Sequence, residues 1–268
     1  MSEIQSAKFI IENTPVGLLS EMNGYMKILN GTLEFSPQFK TILQKYEEDH
    51  FKQVPLAEDT LILSKFTKDK EGYYYDQTKQ YKLLISPLTE NFEKLEKISP
   101  NFPLQVLLDK KVNEYKEKYY SKDKTSHNVY FEEKGINNWV IKILISSHII
   151  SLPNFLTGEW ISYFFISNSN NSEVYEIGGK IKIFTYYYED NNTQFNLEEE
   201  VKDKINAKSN EEIGNKVIEI IEKNENKVHE KLTVAFNVFQ TEYAKPLRRK
   251  LPITGMKMNW SLNQIALK

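Results

Sequence analysis

The chain has 268 residues, no cysteine and a formal net charge of −2, with 40% hydrophobic and 27% charged residues. That is a globular composition with length for a sizeable core, and it excludes a disulfide framework, a thiol nucleophile and any cysteine-held zinc. No apolar run approaches the roughly 18 residues a membrane-spanning helix needs, and "MSEIQSAKFIIENTP" lacks the order of a secretory signal, so a cytoplasmic protein is expected.

Residues 1–52 read as short amphipathic helices. In "SEIQSAKFIIEN", Ile4, Phe9 and Ile10 or Ile11 fall at roughly helical spacing until Pro15 and Gly17 break the pattern. "LLSEMNGYMKIL" repeats it. "SPQFKTILQKYEEDHF" opens with Ser36 as N-cap and Pro37 at the first helical position, where a missing N–H costs nothing. Its stripe is Phe39, Ile42, Leu43 and Tyr46, and the three helices together predict a small antiparallel bundle. From residue 60 the period changes to two, in "TLILSKF" and "GYYYDQTKQYKLLI", both strand-like. "PLQVLLDKKVNEYKEKYY" (103–120) returns to helix.

A β-rich block follows: "HNVYFEE", "NWVIKILISSHII", "EWISYFFIS", "GKIKIFTYYYE" and "TQFNL". Short, turn-rich connections favour an antiparallel meander over a parallel sheet. Gly178-Gly179 suggests a bulge or tight turn, and "EEE" at 198–200 the polar start of a short helix. After it, Ser209 and Glu212 form a capping box, and an apolar stripe continues until Pro246 stops it. About 36 residues make a helix of roughly 54 Å. That is more than one small domain needs, so the helix is expected to lie across something larger, such as a partner subunit.

The final segment, "KPLRRKLPITGMKMNW", holds both arginines of the chain, Arg248 and Arg249, among 35 basic residues. From Lys245 onward there are six positive charges and no Asp or Glu, so the preceding 244 residues carry −8. Arginine offers a planar fork that grips carboxylates bidentately and stays charged when partly desolvated. A solvated tail with two adjacent arginines by chance is the plainer reading of composition alone.

Catalytic and cofactor motifs are missing. There is no phosphate-binding glycine loop, no dinucleotide fingerprint and no H-E-x-x-H, and the four histidines are scattered. His148 reads as a satisfied sheet residue, and the carboxylates before His50 in "YEED" as solvated. The expectation is a non-enzymatic protein with no cofactor and no metal.

The tail "LRRKLPITGMKMNW" behind a long helix resembles the α subunit of F-actin capping protein, whose signature is Leu-Arg-Arg-x-Leu-Pro-[Val/Ile]-Thr before a basic stretch and a Trp. "AKFIIENTPVG", "NFLTGEW", "YYYEDNNTQF" and "SNEEIGNKVIEIIEKNEN" match the family in order along the chain. It departs from the pattern at Gly255, where the family usually has another Arg, and it runs only eight residues past Trp260. The resemblance implies an α+β fold: a stalk of N-terminal helices, an antiparallel β-sheet cap, a long helix across that sheet and a basic tail. Applied to this chain, it implies a three-helix stalk over 1–58, a sheet region over 59–208 with one inserted helix near 103–120, a long helix over 209–245, and a tail over 246–268 forming a short tentacle.

The resemblance further implies binding to the barbed end of the actin filament, through Lys245 and Arg249 with Arg248, Lys250 and Lys257 as supporting charge. The segment after Trp260 would dock as an amphipathic helix in an apolar groove on actin. The expected second subunit is a capping protein β subunit or, because the two subunits share a fold, a second copy of this chain. The alternative is a non-catalytic dimer that binds phosphoinositide membranes or a scaffold, its basic tail not being an actin site. Nucleic acid is not expected, since the body is acidic and the tail has one Trp.

Overall fold

The structure, a computed structural model, describes residues 3–29, 37–56, 59–85, 92–97, 102–135, 138–168, 173–189, 192–238 and 241. The chain divides into two units at Ile221/Glu222.

The first unit opens with helices α1 (Glu3–Glu12), α2 (Leu19–Leu29) and α3 (Pro37–Asp49). Their apolar stripes meet, with Ala7 and Ile11 packed against Phe39, Leu43 and Tyr46 and flanked by Ile4, Ile10, Leu19 and Ile42; Phe9, expected in the α1 stripe, is instead exposed, and Ala7, one turn before Ile11, takes the inward position. The Tyr46 hydroxyl donates to the Thr14 carbonyl at 2.7 Å, pinning the exit of α1 to α3. Ser36, the expected N-cap, lies outside the described residues.

Two small antiparallel sheets follow, β1 (Gln53–Leu56) with β2 (Asp59–Ile62), and β3 (Tyr74–Asp76), β4 (Tyr81–Ile85) and β5 (Phe92–Lys97) in that order. They share a core of Val54, Leu56, Leu61, Leu63, Tyr74, Leu83 and Ile85. The run "GYYYDQTKQYKLLI", read as extended, is a hairpin. Asp76 Oδ1 accepts from Thr78 Oγ1 and from the Lys79 N–H, both at 3.0 Å, and Gln80 takes φ +64° to complete the reversal. A side chain hydrogen-bonding its own turn competes with strand continuation, which period-two counting does not register.

The main sheet has five strands, β6 (Thr125–Gly135), β7 (Asn138–Ser151), β8 (Leu156–Asn168), β9 (Val174–Tyr187) and β10 (Thr193–Asn206), each antiparallel to the next in sequence. This is the expected meander. Cross-strand register puts His148, Glu159 and Phe184 on one face and Ser147, Trp160 and Ile183 on the other. The first face meets the β1–β2 region through Phe51, Ile62, Leu144 and Ile161. The second carries α4 (Pro103–Tyr119): the Tyr120 ring sits edge-on to Trp160, and Phe102 stacks on Phe131.

Two local readings are corrected. Gly178 and Gly179 form neither bulge nor turn, since β9 pairs with both neighbours in unbroken register through them. Gly179 is required by close approach: a Cβ there would fall 2.4 Å from the Tyr163 carbonyl oxygen and 2.9 Å from the Phe164 ring. "EEE" at 198–200 starts no helix and lies in the middle of β10, a strand of 14 residues. The carboxylates are tolerated because β10 is an edge strand, where charged side chains reach water.

Helix α5 runs Asn210–Val238, 29 residues or about 43 Å. Its start is capped as predicted, Ser209 Oγ accepting from the Glu212 N–H at 3.2 Å, while Glu212 Oε2 turns back to the Lys208 N–H at 3.0 Å. Within the first unit it buries Ile213, Val217, Ile220 and Ile221, and Lys111 of α4 reaches Glu211 and Asn215 at 2.6 and 2.8 Å. In the second unit the helix continues to Val238, exposing Val234, Phe236 and Val238. The remainder of the run expected to reach 245 lies outside the described residues, apart from Thr241.

Candidate functional site

Every residue the sequence nominates for actin contact, Lys245, Arg248, Arg249, Lys250, Lys257 and Trp260, lies outside the described residues. The structure describes the body that precedes them, and there it places two features that sequence reading missed.

The first is a buried polar joint between the N-terminal helices and the sheet. His50, just past α3, sits with Nδ1 2.8 Å from Glu159 Oε1 on β8. A carboxylate only accepts, so Nδ1 carries the proton. His148 on β7 donates from Nε2 to the His50 carbonyl at 3.0 Å, and the same nitrogen approaches Glu159 Oε2 at 3.5 Å. Burial alone would raise the Glu159 pKa. The hydrogen bonds and charges of His148 and His50 outweigh it and hold the carboxyl below its ordinary range. The Tyr46 phenol, 4.3 Å ring to ring from His50, is pushed well above its usual value by burial and by the negative charges of Glu159 and Glu47.

Two of the three carboxylates of "YEED" expected in solvent, Glu47 and Glu48, are also buried. Glu47 pairs with Lys52 at 2.7 Å, and Glu48 takes Lys68 at 2.7 Å and the Tyr74 hydroxyl at 2.6 Å. Buried charge is tolerable when paired and hydrogen-bonded, and partners from three separate segments do this here. His148 is a satisfied sheet residue, as expected, although its partner, the His50 carbonyl, lies outside the sheet. A second joint, His127 Nε2 to Asp109 Oδ1 at 3.1 Å, ties β6 to α4. Burial would raise the Asp109 pKa, but His127, Thr78 and Lys79 together lower it. Among the described residues, no group of three His, Asp or Glu is placed to hold a metal ion. The arrangement joins secondary elements across the fold.

The second feature is an asymmetry between the two edges of the main sheet. At the β6 edge the backbone is capped by side chains from other elements. Gln105 Nε2 donates to the Val129 carbonyl at 2.8 Å, and Gln77 both accepts from the Phe131 N–H at 2.7 Å and donates to the Phe131 carbonyl at 3.1 Å. Lys79 Nζ lies 3.5 Å from the His127 carbonyl. At the β10 edge, Asp203 Oδ1 accepts from the adjacent Lys204 N–H, and no other element caps the backbone of Glu200–Lys202 among the described residues. No proline, glycine or register shift interrupts β10, although such devices commonly protect a free edge.

Charge runs along that strand in order. Glu198 holds Lys180 at 2.9 Å and Lys182 at 3.7 Å, and Lys204 holds Glu176 at 2.6 Å. Those contacts, led by the hydrogen bond from Lys180, hold Glu198 below the ordinary carboxylate range, and Lys204 does the same for Glu176. Glu200 and Lys202 lie 3.4 Å apart, both largely in solvent. A period-two signal was available, since Phe195, Leu197, Val201 and Ile205 share one face. The joint gave none, because its members lie 109 residues apart.

A family model described as F-actin capping protein alpha subunit matches residues 7–268. The F-actin-capping protein subunit alpha of Neurospora crassa is 26% identical over 257 residues, covering 93% of this chain and 89% of that protein. That of Arabidopsis thaliana is 23% identical over 273 residues, covering 95% and 87%. Among solved structures, the homodimeric actin capping protein alpha subunit from Plasmodium berghei superposes with a TM-score of 0.75 at 18% identity, over 86% of this chain and 90% of that one. The five-stranded meander, the helices before it and the C-terminal helix are thus a shared fold. With a family model spanning nearly the whole sequence, tail included, this chain belongs to the F-actin capping protein alpha subunit family.

Proposed function

We propose that this chain is a non-enzymatic subunit of a dimer that caps the barbed end of the actin filament, blocking subunit addition and loss. The observation that carries the reading is the family match, which extends through the segment containing the paired arginines. Its partner is a second copy, or a capping protein β subunit in the cell, and its place is the cytoplasm, with the cytoskeleton.

The finer assignment concerns the tail. Lys245, Arg248, Arg249, Lys250 and Lys257 supply clustered positive charge on a chain whose remainder is acidic. Such a cluster steers encounter with an acidic filament end and raises the on-rate, whereas apolar docking beyond Trp260 slows release. A blocker must leave slowly, so both parts are needed. The division into a stalk over 1–58, a sheet region over 59–208, a helix over 209–245 and a tail from 246 follows the same reading.

The test is elongation of pyrene-labelled actin from filament seeds at low salt, with the chain alone and with a β subunit. Capping appears as loss of barbed-end growth. Growth that continues at micromolar protein in both arms refutes the proposal. Binding to phosphoinositide vesicles without that loss would favour the membrane-binding alternative.

A further inference from the structure

We propose that His50, Glu159 and His148 form a proton-operated latch that seats the N-terminal helices on the main sheet. The latch is firmest when the cluster holds one proton beyond those on its two facing nitrogens. The inference does not depend on the capping reading, and its basis is the geometry of the joint. His50 Nδ1 meets Glu159 Oε1 at 2.8 Å, and His148 Nε2 lies between the His50 carbonyl at 3.0 Å and Glu159 Oε2 at 3.5 Å. These acceptors place a proton on both facing nitrogens, so a further proton goes to His50 Nε2 or His148 Nδ1. It changes the charge of the cluster without requiring any heavy atom to move.

The surroundings of Glu159 make that charge count. Its side chain is 6% exposed, Oε2 has no hydrogen-bond partner, and the cations that reach it among the described residues are these two imidazoles. On α3 the Tyr46 phenol is neutral, its hydroxyl donating to the Thr14 carbonyl, while Glu47 is held by Lys52 and Asp49 by Lys65. On β9 the residue opposite Glu159 is Phe184, which carries no charge. With both imidazoles neutral, the joint buries a carboxylate that no cation offsets. One added proton makes a neutral ion pair, and two put like charges side by side. The fold therefore favours the middle state, which nothing in the unfolded chain favours.

The element this bias acts on is the turn from α3 into β1. Phe51 holds φ +46°, a left-handed conformation costly for a bulky side chain. Two residues of β7 keep it there: His148 bonds the His50 carbonyl, and Ser146 Oγ donates to the Phe51 carbonyl at 3.0 Å. Because α3 shares a core with α1, the turn sets how firmly that bundle is seated. A proton bound on folding adds stability that is present at mildly acid pH and lost as pH rises through the imidazole range. Stronger acid opens the latch from the other side. Burial raises the Glu159 pKa and the two histidines pull it below the ordinary range, so its charge is lost as pH falls through that lowered value.

Amide hydrogen exchange of the full-length chain, scaled for the intrinsic rate at each pH, reads the latch directly. From about pH 6 to about pH 8, the amides of His50, Phe51 and Lys52 should open about tenfold more often. His50→Asn with His148→Gln keeps an amide N–H near each donor nitrogen but takes up no proton, so the dependence should vanish. A wild-type chain that opens equally at both pH values overturns the proposal, and so does a double variant that keeps the dependence. If circular dichroism shows that the double variant does not fold, imidazole NMR of the wild type decides. The ring signals of His50 and His148 should move together in two separated steps, since each proton bound changes the affinity for the next, and independent single steps overturn the latch.

Discussion

Gly179→Ala is the sharpest single perturbation of the sheet. In β9 the site has ordinary extended backbone, so no φ restriction demands glycine there. What does is the Tyr163 carbonyl oxygen on β8, 2.4 Å from where a Cβ would sit, with the Phe164 Cα at 3.1 Å and its ring at 2.9 Å. A normal carbon–oxygen contact needs roughly 0.8 Å more. The oxygen is backbone, so it can yield only if β8 and β9 separate locally or the sheet bends. Overpacking of this kind costs about 1–3 kcal/mol, and a backbone obstacle puts it near 3. At about 2–4 °C per kcal/mol for a chain of this size, the melting midpoint should fall by about 6–12 °C. Gly178→Ala is the control. It is the adjacent residue in the same strand and nothing lies within 4 Å of its added Cβ, so it should melt within a degree or two of wild type. Circular dichroism melts of the three proteins at one concentration decide the matter. Equal melting of the two variants, or an unchanged Gly179→Ala, would show that the close approach exerts no constraint.

Glu159→Gln should cost about 1–3 kcal/mol at pH 7, since a buried charge-assisted acceptor is removed from two half-buried imidazoles. Because the Glu159 pKa is depressed in the fold, its contribution is present above the ordinary glutamate range and lost as pH falls through the folded value, so the two melting curves should converge under acid. Tyr74→Phe removes the donor 2.6 Å from Glu48 and leaves the acceptor for Gln44 missing, which urea titration should report as a loss of about 1–2 kcal/mol. Replacing Arg248 and Arg249 together by Glu should slow capping in seeded elongation assays by about tenfold or more while leaving the melting midpoint unchanged, and equal losses in both would mean these residues are structural.

Much of the fold is legible along the chain because it is built from neighbours in sequence. The helices declare themselves by stripes such as Phe39, Leu43 and Tyr46, and the meander by β-branched runs separated by turns. The N-cap at Ser209 is readable because the groups it satisfies are three residues away. What failed depends on long-range placement. Glu47 and Glu48 look solvated until Lys52, Lys68 and Tyr74 are brought to them. Gly179 resembles a bulge until Tyr163 is laid beside it. "EEE" resembles a helix start because edge position, which permits a charged strand, is a property of topology. The tail residues nominated for actin contact were reached through resemblance, and composition alone left their charge open to a plainer reading.

The capped border of the main sheet has a consequence for assembly. Gln77, Gln105 and Lys79 occupy hydrogen-bonding positions that an incoming chain would need, so growth by strand addition is closed off on that flank. A molecule able to extend in one direction only cannot propagate. Whatever adds at the β10 flank, if it is another copy, turns its own finished border outward, and the object terminates at two. Three long polar side chains thereby separate a finite particle from a fibre.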